Sequence, residues 1–314
     1  MVNVAIWGIG KHATRNLIPA LIDCPETHLV GAWTGSGDKR VMASENFGIK
    51  CYSSHQEMLD DRNLDAIVVS TPVGLHYDHG KRVIASGKHL WCEKSLATSS
   101  QEVGGLMTLS EEYSVEVKEM FMFLHHQQFI RLKELVNSGR IGKIRSLVAR
   151  FGFPHLNQND IRYRPDLGGG SLLDAGCYPV AAAHSLIGPN PLQVWGQLWS
   201  EADHQVDTMG CAVFVYEGEK RAILEWGFGH SYRNEIEIWG TDGVIMANRA
   251  FSKPPDLSSE ISIIYKDGTE EKVTFNACNH FSTMFTNFST LPYSNQWNID
   301  QAALIERIRN RENH

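Results

Sequence analysis

An apolar, strand-like run, VNVAIW over residues 2–7, passes directly into Gly8-Ile9-Gly10-Lys11-His12-Ala13, and a helical pattern follows from Arg15 to Ile22. Strand, G-x-G-x-x-A turn and helix in that order admit few folds. Gly8 makes the tight turn, Gly10 lets a pyrophosphate approach the backbone, and Ala13 keeps the helix close to the sheet. The phosphates then sit at the positive end of the helix. An ordinary tight turn could use the same glycines. The β-α-β setting favours the nucleotide, so Gly8, Ile9, Gly10, Lys11, His12 and Ala13 are expected to bind a dinucleotide within a doubly wound parallel sheet.

A second strand, HLVGAW, ends where a cofactor-selecting acid usually stands, about 20 residues after the turn. The sequence there is Thr34-Gly35-Ser36-Gly37-Asp38-Lys39-Arg40. An Asp or Glu at position 34 would accept the ribose hydroxyls and repel a 2′-phosphate; Thr34 does neither. Hydroxyls at Thr34 and Ser36, with cations at Lys39 and Arg40, suit a 2′-phosphate through charge-assisted hydrogen bonds. NADP is therefore favoured, with NAD left possible. A third strand, DAIVVS, leads through Ser70-Thr71-Pro72 to His76, and a later apolar run, HLWC, delivers Glu93-Lys94. These segments lie at the carboxyl edge of the sheet, where open α/β folds bind ligands.

The stretch GGGSLLDAGCYP, residues 168–179, places an acid and a phenol four residues apart just beyond a glycine run. On a helix Asp174 and Tyr178 would share a face. They read either as a site or as a glycine-rich loop feeding a core helix with a buried tyrosine.

Composition bounds the partners. A net charge of −7 argues against nucleic acid or an anionic membrane surface. No apolar run reaches the roughly 18 residues of a spanning helix, and no signal-peptide pattern precedes the first strand, so a cytoplasmic protein is expected. The six cysteines are scattered without a C-x-x-C pair, and no histidine stands at metal-ligand spacing. Free thiols and no metal are the expectation.

Four motifs occur in collinear order over most of residues 2–190: GIGKHA, STPVGLHYDHGKRVIASGKHLWCEKS, HHQQFIRLKELVNSGRIGKIRSL and RYRPDLGGGSLLDAGCYP. As a set they resemble the Gfo/Idh/MocA oxidoreductases, the family of glucose-fructose oxidoreductase and inositol dehydrogenase. The resemblance implies that the lysine of the E-K-P motif, here Lys94, reaches nicotinamide and substrate, and that Asp174 and Tyr178 complete the catalytic set. Three departures stand out. Ser95 replaces the usual proline, Gln127 stands where many members have proline, and Tyr178 occupies the place where inositol dehydrogenases carry histidine. The tyrosine version resembles glucose-fructose oxidoreductase, dimeric dihydrodiol dehydrogenase and some nucleotide-sugar ketoreductases.

Hydride transfer at a carbon bearing oxygen needs a group that gives or takes the hydroxyl proton. With an ordinary pKa of about 10, Tyr178 is a poor base, and a nearby ammonium such as Lys94 would favour its phenolate. Asp174 would orient the substrate or Lys94. Gly168 to Gly170 and Gly176 would leave room for nicotinamide and sugar. Arg162 is a further candidate for a cofactor contact. Among polar and aromatic residues such as His125, His155, Trp226 and His230, His126 and Asn157 are the ones expected at the substrate.

After residue 190 the period becomes strand-like, in LQVWGQLW, TMGCAVFVY, KRAILEWGF, NEIEIWG, EISIIY and EKVTF, with KIRSLVARFGF as an earlier strand. The expected architecture is α/β followed by α+β. A Rossmann domain occupies residues 1–120, and a substrate and oligomerisation domain on an open, largely antiparallel sheet occupies residues 121–314. The final helix is expected to be able to pack back on the first domain. Aromatic residues such as Trp195 and Trp199 predict a homo-oligomer, dimer or tetramer, built on that sheet. The expected function is an NADP-dependent keto-sugar reductase, most readily of a nucleotide-linked sugar. A polyol or dihydrodiol dehydrogenase and a non-catalytic NADP sensor are the alternatives.

Overall fold

The computed structural model describes residues 1–201 and 203–310, which form two compact units. The first unit comprises Met1–Met122 and Asn279–Ile299. Its strands are β1 (Val2–Trp7), β2 (Thr27–Trp33), β3 (Lys50–Cys51), β4 (Ala66–Val69), β5 (His89–Glu93) and β6 (Val117–Met120), in the order β3-β2-β1-β4-β5-β6 with every pairing parallel. The order reverses between β1 and β4, the crevice where doubly wound sheets take their ligands. All four residues of β4 are buried, as expected of a parallel strand covered on both faces.

Five helices connect these strands: α1 (Ile18–Asp23), α2 (Gly37–Phe47), α3 (His55–Asp60), α4 (His76–Ala85) and α5 (Ser100–Glu112). Capping fixes where several of them begin. Ser54 accepts from the Glu57 N–H and Ser99 from the Glu102 N–H, while each glutamate reaches back to the residue before its cap. Both are S-x-x-E capping boxes.

Residues 279–299 belong to the first unit, although the sequence boundary at 120 assigned them to the second domain. The helix His280–Thr290 was not legible as a helix in the strand-rich C-terminal pattern. It buries Phe281, Met284, Phe285 and Phe288, with Phe285 and Phe288 against Trp91 of β5. Lys118, almost wholly buried on β6, donates to the Phe288 and Leu291 carbonyls that end this helix. An ammonium at a helix C-terminus satisfies orphan acceptors and matches the local dipole.

The second unit comprises Phe123–Cys278 and the chain from Asp300 onward. Its helices are α6 (Gln127–Asn137) and α7 (Cys177–Leu186), and the last helix, Asn295–Arg309, ends in it. Eight strands form its sheet: β7 (Ile144–Phe153), β8 (Gln193–Trp199), β9 (Met209–Val215), β10 (Arg221–Phe228), β11 (Arg233–Gly240), β12 (Gly243–Asn248), β13 (Ser259–Tyr265) and β14 (Glu270–Phe275). Their order is β14-β13-β12-β11-β7-β10-β9-β8, and only the β7–β10 pairing is parallel. Alternating burial along β9 and β11 leaves one face packed under α7 and the other open, with Trp195, Trp199 and Trp239 exposed on their strands. No helix among the described residues is long and apolar enough to cross a membrane.

Candidate functional site

The first unit has the backbone geometry of a dinucleotide cradle. Gly8 has φ +110°, and a Cβ there would lie 2.6 Å from the Ser70 carbonyl oxygen, so a side chain is excluded by conformation and by the chain crossing it. At Gly10 the Cβ position has no protein atom within 4 Å, which is the open approach a pyrophosphate needs. Ile9 and Ala13 are buried and Lys11 is exposed. The helix after the fingerprint opens on a wide π-turn at Ala13–Leu17, where the Ile18 N–H reaches the Ala13 carbonyl. Pro19 follows, and without an N–H it cannot close the ordinary bond to Arg15.

The end of β2 has the chemistry expected of a 2′-phosphate pocket. The Ser36 hydroxyl caps α2 by accepting from the Lys39 N–H, Thr34 is half-buried, and Lys39 is exposed in the first turn. Arg40 donates to the Thr34 carbonyl, which ties the loop to its own helix. A helix N-terminus, two hydroxyls and a lysine without a carboxylate at position 34 fit a phosphate better than a bare ribose.

Ser70, Thr71 and Pro72 follow β4, and two histidines hold Thr71. The Thr71 hydroxyl pairs with His79 Nδ1 at 3.1 Å, and the His79 ring stacks on Trp7 at 4.3 Å between centroids. Burial pushes the His79 pKa down to about 4, so the ring is neutral near pH 7. His76, read from sequence as a cofactor contact, has another place. It is fully buried, with its two nitrogens 2.8 Å from the carbonyl oxygens of Ser95 and Thr71. It ties the Thr71 loop to the Ser95 loop through both of its ring nitrogens.

His12 bridges the fingerprint to the E-K-S segment. Its Nδ1 faces the Asn16 amide at 3.0 Å and its Nε2 faces Glu93 at 3.0 Å. With Asn16 donating to Nδ1, Nε2 carries the hydrogen and donates to the carboxylate. Glu93 is lowered in pKa: burial raises it, and His12 and Lys94 more than offset that. Lys94 follows at the end of β5, half-buried, and the Lys94–Ser95 peptide is cis. Behind it Glu119 accepts from the Leu96 N–H at 2.8 Å, and burial pushes its pKa up to about 8.

The second unit carries the glycine run. After it comes a second wide turn, Leu172–Gly176, in which the Cys177 N–H reaches the Leu172 carbonyl; Pro179 in α7 cannot bond to Ala175. Asp174 lies in this turn and Tyr178 in the helix it opens. Tyr178 is buried, its ring in an aromatic shell of Phe123, Phe151 and Phe251. Asp174 is gripped by Arg162, whose Nε donates to Oδ2 at 2.7 Å, while Nη1 donates to Asp160 at 3.2 Å. Asp174 and Asp160 together raise the guanidinium pKa further. Arg162, expected at the cofactor, is thus the partner of the candidate catalytic acid.

Several sequence expectations need correcting here. The glycines after residue 168 do not simply leave space for ligands. A Cβ at Gly169 would lie 2.6 Å from the Arg162 carbonyl oxygen, one at Gly170 would lie 2.4 Å from Asp207, and one at Gly176 would lie 2.8 Å from the Trp226 indole. They let the chain pack on itself, and Trp226 is a core residue beneath the helix, not a pocket wall. His126 is buried and caps α6, its Nδ1 accepting from the Gln128 N–H, with a pKa pushed down to about 4 by burial. Asn157 is exposed and closes its own turn by accepting from the Asn159 N–H. Asp207, which the sequence did not single out, accepts from the Ser171 hydroxyl at 2.6 Å and the Leu172 N–H at 2.7 Å, fixing the start of the Asp174 turn.

Comparison with known proteins matches both units. Residues 2–121 match the model of the GFO_IDH_MocA oxidoreductase family, NAD-binding Rossmann fold, and residues 129–246 match the GFO/IDH/MocA C-terminal domain. A dTDP-3,4-didehydro-2,6-dideoxy-alpha-D-glucose 3-reductase from Saccharopolyspora spinosa is 35% identical over 272 residues, covering 86% of this chain and 81% of that protein. A D-xylose 1-dehydrogenase (NADP(+)) 2 from Haloferax volcanii is 32% identical over 260 residues, covering 82% and 79%. Among solved structures, the 3-ketoreductase KijD10 from Actinomadura kijaniata, in complex with NADP and TDP-benzene, matches with a TM-score of 0.93 and 30% identity over 99% of this chain and 97% of that one.

Proposed function

Because the chain belongs to the Gfo/Idh/MocA oxidoreductase family, we propose that it is an NADPH-dependent reductase of a nucleotide-linked keto-sugar. The observation that carries this reading is that the sequence has both a lysine at position 94 and a tyrosine at position 178, in a chain whose relatives include dTDP-keto-sugar 3-reductases over more than four-fifths of its length. The Gly8–Gly10 cradle and the lack of a carboxylate at position 34 support NADP as cofactor. When bound, its nicotinamide supplies the hydride that adds to the carbonyl carbon. Lys94 holds and polarises the carbonyl oxygen. Tyr178 donates its hydroxyl proton to that oxygen, so ketone and hydride become a secondary alcohol and the phenolate is reprotonated from solvent. Asp174, held by Arg162, orients the sugar. An apolar shell keeps the tyrosine ring in one place, so the proton is presented without reorganisation.

Substrate class, homo-oligomeric assembly through the open sheet face and a cytoplasmic location belong to the same reading. The second reading is an aldose or polyol dehydrogenase using the same residues in the oxidative direction, favoured by the relationship to the xylose dehydrogenase. NADPH oxidation with a panel of dTDP-linked keto-sugars, set against NADP reduction with aldoses and polyols, separates the two. Tight NADPH binding with no turnover in either direction would instead support a sensor. In the active direction, Tyr178→Phe should lower turnover by roughly 10²-fold or more with cofactor affinity and melting temperature little changed. Near-normal single-turnover transfer by that variant would remove Tyr178 from the mechanism.

A further inference from the structure

Apart from the residues assigned above, three side chains from two loops of the second unit meet. His155 lies just after β7, and Glu201 and His204 lie in the connection between β8 and β9. His155 Nε2 is 3.2 Å from Glu201 Oε2, and one ligand atom from each of the three residues lies within 4.8 Å of the other two. We propose that His155, Glu201 and His204 bind a divalent transition-metal ion of the zinc class, clamping the two loops together.

Donor type and geometry both support the assignment. Imidazole nitrogens with one carboxylate suit zinc and its neighbours, whereas magnesium and calcium favour all-oxygen sets. Tetrahedral bonds of about 2.1 Å separate ligand atoms by roughly 3.4 Å. The His155–Glu201 pair already has that spacing, and a small ring adjustment brings in His204. A surface ion pair would need only one histidine. Here the second is brought to the same carboxylate, its ring stacked on Tyr163 at 4.4 Å and 17°.

The surroundings have the form of a metal site's outer shell. Tyr163 is buried, and its hydroxyl oxygen lies 3.2 Å from His155 Nδ1 while accepting from the Leu156 N–H. Without an ion Nε2–H donates to Glu201; when an ion displaces that hydrogen, Nδ1–H donates to the Tyr163 oxygen and Nε2 turns its lone pair to the metal, the tautomer a metal requires. One tyrosine therefore orients both histidines, one by hydrogen bond and one by stacking. The half-exposed His155 and Glu201 leave a coordination position open to water.

Each clamped loop also supports the Asp174 turn. Arg162, next to Tyr163, grips Asp174, and Asp207, in the same connection as His204, holds Ser171 and Leu172. Metal occupancy would stiffen both supports. The sequence concealed the site because Glu201 and His204 stand three apart and the third ligand comes from another loop.

The test uses the full chain stripped with chelator and titrated with zinc against a chromophoric competitor, with cobalt as a spectroscopic substitute. One equivalent should bind, and cobalt should give the visible absorption of a nitrogen and oxygen ligand set. His155→Ala and His204→Ala should each weaken binding by about tenfold or more, and Tyr163→Phe should weaken it through the lost outer-shell bond. Glu201→Gln keeps the size of a half-exposed side chain and repeats the measurement where folding is not at stake. Lack of saturable uptake overturns the proposal, and so does a loss smaller than about tenfold in either histidine variant that melts like the parent.

Discussion

If Arg162 exists to hold Asp174, the two residues should behave as one unit in catalysis, and a double-mutant cycle measures whether they do. The bond at stake is a single charge-assisted contact of 2.7 Å, between a guanidinium 37% exposed and a carboxylate 20% exposed. Desolvated bonds of this kind contribute about 1.5–3 kcal/mol, and water on a third of the guanidinium trims that to roughly 1–2 kcal/mol. Arg162→Met should therefore lower kcat/KM by about 5- to 30-fold, through a carboxylate that no longer points one way. Asp174→Asn should cost more, because the charge that meets the substrate is lost as well. Once Asp174 is replaced the arginine has no carboxylate left to orient, so the activity of the double variant should lie close to that of Asp174→Asn alone, with a coupling energy of about 1–2 kcal/mol. Steady-state NADPH oxidation on the best substrate of the panel, with melting curves for each variant, supplies the four numbers. If the two single losses simply multiply, Arg162 acts independently of Asp174 and the positioning argument is wrong.

Three further expectations follow from separate parts of the molecule. NADPH should bind more tightly than NADH in fluorescence titrations, and Thr34→Asp, which puts a carboxylate where a 2′-phosphate would sit, should reverse the preference; equal affinities in the parent would refute this account of the pocket. Glu119 has a folded pKa of about 8 against an ordinary value of about 4.3, so the folded state holds an extra proton between these values. Its contribution to stability is complete below about pH 4.3 and is lost as pH rises through about 8; Glu119→Gln should flatten denaturant midpoints across this window, and an unchanged slope would show that the carboxyl titrates normally. On the open sheet face Trp195, Trp199 and Trp239 are 44%, 47% and 54% exposed, so light scattering should find a homo-oligomer that Trp199→Glu dissociates, and a monomeric parent would refute the assembly.

The sequence was most informative where function is written into local backbone requirements. Strand, G-x-G-x-x-A and helix could be read directly because Gly8 needs a positive φ and Gly10 an open approach, and both are properties of single residues. Strands β7 to β11 were legible from alternation. Strand β12 was not, since GVIMAN is a short mixed run behind a turn. The helix His280–Thr290 was missed because Phe281, Met284, Phe285 and Phe288 make sense only once Trp91 and Lys118 are opposite them. Histidines were the least legible. His76 and His126 were expected at ligands, and the structure gives each a buried place and a backbone partner, neither of which has a sequence signature.

The spacing of Asp174 and Tyr178 shows how such a limit arises physically. Residues four apart overrun a revolution slightly when each turn closes by an i to i+4 bond; Asp174 lies in a turn closed by an i to i+5 bond, where four residues fall slightly short of one, so the shared face is kept while the acid is carried to its other side. The cause is legible afterwards in Pro179, whose missing N–H and bulky ring oppose an ordinary turn at Ala175. Pro19 stands in the same relation to the wide turn behind the dinucleotide fingerprint. Each unit thus has a helix that trades a regular first turn for a wider one. In the second unit the widened turn carries Asp174 itself, and it is held from outside by Arg162 and Asp207. The proline is a local signal, whereas its supports come from loops distant in sequence, so the acid's orientation depends on tertiary contacts more than on helical periodicity.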